Sequence, residues 1–492
     1  MKISEKYGLH KTQFELDFVD IDTERDTPLF IDPHHISNRV DDWSQSAFHT
    51  INSFFSNLVA LLRSERIAEA RRLFAYLSEP NETCLGLSQE RPRGRGVGPE
   101  NTQRVFDQIV QSGAVESGLV ADIQDCLLFV EDFGPDKLSD MTTNIIRRNL
   151  IHYTQDQCHL WGIPLQTGVQ SGHYWNPVKN EWENIHTEML LVEEQRILLV
   201  PKSGVSYCEN YTSQQYHRHF VLNFLQKQHL EKGSPLVQIK RNKRGEVTDR
   251  KVTKVSLIET EAPHSKDFLR LFTARHREVF STFKHELTRP SVALSNGDIT
   301  DPRASEEDIV TKIRAVCEHL KIELQQIPPG RENADRYHNI ILGALELLFY
   351  PALTNPTKEA EIHDGRKRID IAFLNAATQG FFHSLATIQD VPSRFIIVEC
   401  KNYTNDIANP ELDQLAGRFS ANRGKVGIVT CRATEDRALL LSRCNDAWRD
   451  DRGLLLFLTD EDVFRALDGI KGGDADIVNA ILNDRYREVA FS

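Results

Sequence analysis

The stretch FIIVECKNYT, residues 395–404, closes an apolar run with an acid, one intervening residue and a lysine. Phe, Ile and Val favour strands, and an unbroken run of them reads as a strand covered on both faces. An ion costs several kcal/mol to bury unless a partner or a metal compensates it, so Glu399 and Lys401 mark either a local ion pair or a site. Alternation places Ile397, Glu399 and Lys401 on one face and Val398 and Cys400 on the other. In RKRIDIAFLN, residues 366–375, Asp370 shares a face with Arg368 and Ala372. If the two strands pair, Asp370 approaches Glu399. Two carboxylates from adjacent strands make an oxygen-rich site suited to Mg2+, and a neighbouring lysine could orient or activate a bound water. On spacing alone an ordinary same-face ion pair at an exposed strand end accounts for Glu399 and Lys401 equally well. The apolar strand, the second acid and the capped helix that follows weigh towards a site.

These residues need a scaffold. Ser305 with Asp308 resembles a capping box, and Ile309, Ile313, Val316, Cys317 and Leu320 repeat at helical spacing. A second helix is expected from Asp335 to Tyr350. EAEIH, the turn at Asp364-Gly365 and RKRIDIAFLN read as a β-hairpin. After the strand that carries Glu399, Asn409 and Pro410 open a helix with Leu412, Leu415, Ala416 and Phe419 on one face, which leads to the buried strand KVGIVTC. A strand, a crossover helix and a strand of this length make a right-handed parallel unit. LLLFLTDEDVFRAL adds one more strand and helix.

In this order and context, Asp370, Glu399-Cys400-Lys401 and Gln414 in ELDQLAGRF resemble the PD-(D/E)XK superfamily of restriction-endonuclease-like nucleases, close to its Mrr-like branch, over roughly residues 335–460. The resemblance implies a C-terminal mixed β-sheet flanked by helices and a Mg2+-dependent endonuclease, with Mn2+ able to take the metal's place. It casts Asp370, Glu399 and the Cys400 backbone carbonyl as metal ligands, Lys401 as the group that positions the water or stabilises the transition state, and Gln414 as support. Members of the branch carry a glutamate early in the first helix, where this chain has Tyr337-His338. Glu346 and Glu361 are the candidate replacements, and each also reads as a solvated surface acid. Arg418 shares a helix face with Glu411 and Gln414, so it contacts a phosphate or pairs with Glu411. By association the expectation is a DNA-cutting enzyme of prokaryotic restriction or anti-phage defence. One such site handles one strand at a time, which points to a homodimer or higher oligomer. The alternative is a non-catalytic nucleic-acid-binding or regulatory protein that retains the nuclease fold.

At 492 residues the chain exceeds one core. The expected organisation is a mainly helical region over 1–160, an α+β region over 161–290 and the nuclease-like domain over 300–492, an α/β protein overall. The main boundary falls in the turn-rich stretch TRPSVALSNGDITDPRA. In the first region Ile51–Leu77 reads as one helix, and Ser139/Asp140 as the cap of another. A formal charge of −12 excludes a general basic coat, so contact with nucleic acid must be local. PLVQIKRNKRGEVTDRKVTKVSLI is a hairpin pattern whose Lys240, Arg241, Lys243 and Arg244 are the candidates for it, against a plain solvated turn. RPRGRGVG, residues 91–98, lacks phosphate-loop spacing and reads as a surface loop; His217 and His219 lack a third ligand. Eight scattered cysteines without a CxxC pair argue against structural zinc or disulfides. With no apolar signal core and no run of 18 apolar residues, a cytoplasmic protein without membrane contact is expected, and the N-terminal region is the surface for any protein partner.

Overall fold

The computed structural model describes residues 1–86, 99–287, 299, 305–358, 371–403 and 405–491. Helices and several small sheets combine in an α/β chain built on two hydrophobic clusters. The first runs from Ile3 to Ile299 and takes residues from both sides of position 160, so the helical and α+β regions share one core. Its longest helix, Asp42–Arg63, is capped by Asp41, whose carboxylate accepts the Ser44 amide. Ile51, Phe54, Phe55, Leu58, Leu61 and Leu62 recur at helical spacing on its buried face. The pattern expected to continue to Leu77 breaks at Ser64. Glu65 adopts a left-handed φ of 59°, and a new helix starts at Ile67. The expected Ser139/Asp140 cap also moves. Gly134 and Pro135 open that helix, as suits a proline without an N–H to satisfy, and the Ser139 hydroxyl inside it accepts the Ile31 amide.

The second cluster fills the C-terminal part. Glu306–Gln326 begins with the expected capping box, the Ser305 hydroxyl accepting the Asp308 amide and the Asp308 carboxylate accepting the Ser305 amide. Ala334–Phe349 follows. The sheet has 5 strands in the order Leu353–Thr357, Ile371–Asn375, Phe395–Lys401, Val426–Cys431 and Leu454–Thr459. The first two junctions are antiparallel and the last two parallel, the crossovers running through the helices Asn409–Ala416 and Arg437–Arg449. EAEIH and the Asp364-Gly365 turn lie outside the described residues. The strand that pairs with Ile371–Asn375 on the outer side is Leu353–Thr357, whose Asn355 and Pro356 hide it from a strand pattern. Phe14 and Leu160, from the N-terminal half, belong to this second core.

Gly427 lets the helix before it approach the sheet. A Cβ there would lie 2.8 Å from Leu415 and 2.9 Å from Phe419. Gly427→Val is therefore expected to push Asn409–Ala416 off the sheet and cost about 1–3 kcal/mol, read as a lower urea midpoint at unchanged slope.

Candidate active site

Phe395–Lys401 is the central strand, paired on both edges, with Ile396, Ile397 and Val398 buried between helical layers. Glu399 continues that burial at 0% exposure. Its parallel partner is Val429. Beyond Lys401 the chain is pinned by Asn402, whose side-chain amide donates to the carbonyls of Pro328 (3.1 Å) and Gly330 (2.9 Å) and whose own carbonyl accepts the Gly330 amide at 2.8 Å. The strand end is thus held from outside the sheet, which fixes where Glu399 and Lys401 stand.

Two cations meet the Glu399 carboxylate. Lys401 pairs with Oε1, as their common face on the strand dictates, and Arg418 Nη1 lies 3.5 Å from Oε2. Lys401 Nζ also lies 5.5 Å from the centre of the Tyr403 ring. Both ion pairs fall outside hydrogen-bond alignment, so among the described residues neither buried carboxylate oxygen accepts an aligned donor. Arg418, 7% exposed, follows the helix Asn409–Ala416 and turns inward. The expected alternative pairing of Arg418 with Glu411 is replaced: the Glu411 carboxylate accepts the Ala408 amide at the helix start. Gln414 is half-buried on that helix, four residues before Arg418. The Cys400 side chain points to the opposite face and packs against the second core.

Asp370 and Glu361 lie outside the described residues, as does RPRGRGVG. Among the described residues no group of three or more His, Cys, Asp or Glu side chains is placed to hold a metal ion. Glu346 joins a different set. It is buried, its carboxylate is 3.9 Å from Lys202 Nζ, and burial next to Asp17 raises it well above the usual carboxylate range. His217 is buried with Nε2 against the Ala262 carbonyl at 2.9 Å, a structural role. All eight cysteines are free thiols. No described helix is long and apolar enough to cross a membrane.

The basic candidates lie on a hairpin of Gln238–Arg241 and Val247–Lys251, every strand residue of which is exposed. Asn242 organises its turn, the side-chain oxygen accepting the amides of Arg244 and Glu246. Arg241 donates to the Gly245 carbonyl at 2.9 Å.

A second acidic group lies in the N-terminal half. Burial, reinforced by Asp136, Glu79 and Asp26, pushes Asp140 up from 3.8 to about 8, in a cleft of about 120 Å³. Between these values the folded chain holds a proton that the unfolded chain releases. Stability should therefore fall as pH rises from about 4 to about 8, with a slope of at most about 1.4 kcal/mol per pH unit. Asp140→Asn is expected to raise Tm at pH 8, to leave it nearly unchanged at pH 4, and to flatten the profile between.

Residues 8–212, covering the helices and small sheets of the first core up to the start of the helix before the basic hairpin, match the model of a domain of unknown function, DUF8370. No curated protein and no solved structure matches the chain.

Proposed function

We propose that the chain is a metal-dependent nuclease that hydrolyses phosphodiester bonds, with DNA as the first substrate, and that its C-terminal part is a restriction-endonuclease-like domain controlled or targeted by the N-terminal half. The carrying observation is Glu399, fully buried at the end of the central strand of a mixed sheet and met there by Lys401 and Arg418. A carboxylate is seldom buried this way without a task for its charge. The strand register adds support. Ile371, where the described part of the first strand begins, pairs with Val398, the residue next to Glu399, and Ala372 pairs with Ile397.

The buried oxygens of Glu399, which accept no aligned donor among the described residues, suit a hard cation. Asp370, Glu399 and the Cys400 carbonyl would hold Mg2+ or Mn2+, which when bound supplies an activated water and a counter-charge for the scissile phosphate. Lys401 orients the attacking water and, with Arg418, meets the negative charge that develops on phosphorus oxygens in the transition state. Gln414 supports the site from the crossover helix. Cutting both strands of a duplex takes two such sites, hence two copies of the chain. Prokaryotic restriction or anti-phage defence is the setting that the resemblance suggests.

The closed ion network favours one other reading, a nucleic-acid-binding protein in which Glu399 is only a structural lock. Incubation of plasmid, linear duplex and single-stranded substrates with Mg2+ or Mn2+ against EDTA separates the two. Metal-dependent product supports the nuclease, and binding without product in every substrate supports the lock.

A further inference from the structure

Leu353–Thr357 is the edge strand of the C-terminal sheet, and its own sequence builds it badly. Pro356 has no amide to donate, Asn355 sits at a left-handed φ of 49°, and the pairing with Ile371–Asn375 slips between Thr354 and Thr357. The irregular stretch is held from the other half of the molecule. Asp17 Oδ1 accepts the Asn355 amide at 3.0 Å, and Gln157 Nε2 donates to the Pro356 carbonyl at 2.9 Å. These two bonds take the backbone groups that the slipped register leaves to other partners.

The anchor is itself fixed. Asp17 is fully buried, its Oδ2 accepts the Tyr153 hydroxyl at 2.6 Å, and its carbonyl accepts the Lys202 amide at 2.8 Å. Lys202, also fully buried, reaches across to the helix that precedes the edge strand. Its Nζ lies 3.9 Å from the Glu346 carboxylate and 4.2 Å over the Tyr350 ring. On the same helix, Gly343 passes under Lys11 and Glu15, where a Cβ would come within 2.8 Å of Lys11 Nζ. The seam between the halves is therefore close-packed beside this irregular strand, and not a loose linker.

We propose that Asp17 and Gln157 are positioning residues for the Glu399 site, holding the edge strand in the register that the sheet passes inward to the central strand. This rests on the nuclease reading. The path is short: Thr357 pairs with Ala372, and Ala372 with Ile397, two residues before Glu399. A change in the N-terminal half that moves Asp17 or Gln157 releases the slipped pair and shifts the strands that flank the site. The N-terminal half thereby gains a direct mechanical route to catalysis that needs no contact with substrate.

The test uses the full chain. Gln157→Met removes the donor to Pro356 at nearly constant length, Asp17→Ala removes the acceptor for Asn355, and Asp17→Asn keeps an acceptor oxygen as the conservative rescue. In Mg2+, Gln157→Met and Asp17→Ala are expected to lower kcat about tenfold or more with KM within about twofold, and Asp17→Asn to recover most of the rate. Hydrogen exchange provides the arm that does not depend on cutting. Amides of Ile371–Asn375 should exchange faster in Gln157→Met while those of Leu454–Thr459, at the far edge, keep their protection. If the wild type cuts nothing, the nuclease reading fails and the exchange pattern alone decides whether the clamp exists. Unchanged kcat in Gln157→Met, or exchange that rises evenly across the sheet or not at all, overturns the proposal. Should Asp17→Ala fail to fold, the Gln157→Met comparison stands on its own.

Discussion

Glu399→Ala is expected to abolish cleavage, by at least about 10²–10³-fold, and to destabilise the fold at the same time. The first effect follows from the loss of the buried carboxylate at the proposed metal. The second follows from the charges that remain. Lys401 and Arg418, with side chains 13% and 4% exposed, would both lose the anion that now lies against their charges. Breaking a buried ion pair from one side costs about 3–5 kcal/mol, and the partial access of Lys401 to water places the expected value at the lower end. Repulsion between adjacent acids alone gives the opposite sign, a gain in stability on removing one. The two cations at Glu399 outweigh that gain, because opposite charges at contact distance dominate a buried carboxylate. Urea unfolding of Glu399→Ala, Glu399→Gln and the wild type measures the difference. Glu399→Gln keeps the volume, so it should unfold between the other two while cutting no better than Glu399→Ala.

Charge reversal of the basic hairpin, Lys240→Glu, Arg241→Glu, Lys243→Glu and Arg244→Glu together, is expected to weaken duplex binding strongly and to flatten its salt dependence. Between Gln238 and Lys251 the hairpin carries Lys240, Arg241, Lys243, Arg244, Arg250 and Lys251 against Glu246 and Asp249, in a chain of net charge −12. It is thus a local positive surface on an acidic protein, as phosphate binding requires. Its strands are exposed on both faces, including Ile239 at 49% and Val247 at 43%, and a two-stranded ribbon of this kind fits the major groove of a duplex. Every phosphate that a side chain neutralises adds about 0.9 to the slope of log K against log salt, so reversing four such side chains should lower the slope by roughly 3–4. Anisotropy titrations in EDTA at several salt concentrations read this without interference from cutting. An unchanged slope in the reversed protein would leave the hairpin as a solvated turn.

What could be read from residue order was local. The apolar run before Glu399, the alternation that puts Lys401 on its face, the capping box at Ser305 and the hairpin around Asn242 each depend on neighbours within a few residues, and each is present in the fold. What could not be read depended on distant partners. Leu353–Thr357 lacks a strand pattern because Asp17 and Gln157, from the other half, satisfy its backbone. Glu346 looks like a surface acid on a polar stripe until Lys202 closes over it. Helical spacing put Glu411 in reach of Arg418, but the helix ends at Ala416 and the Glu411 carboxylate caps its start, so Arg418 turns to the buried charge of Glu399. The helix break at Glu65 has no proline or glycine to mark it. Composition likewise could not divide the first 290 residues, since one core serves both of the regions that it distinguishes.

The most direct measurement is cleavage of supercoiled plasmid by the purified full-length chain and its Glu399→Gln variant, each in Mg2+ and in EDTA. Nicked or linear product is expected from the wild type in Mg2+ only, and none from Glu399→Gln under either condition, with both proteins folded by circular dichroism. Equal cutting by the two proteins, or product that persists in EDTA, would contradict it.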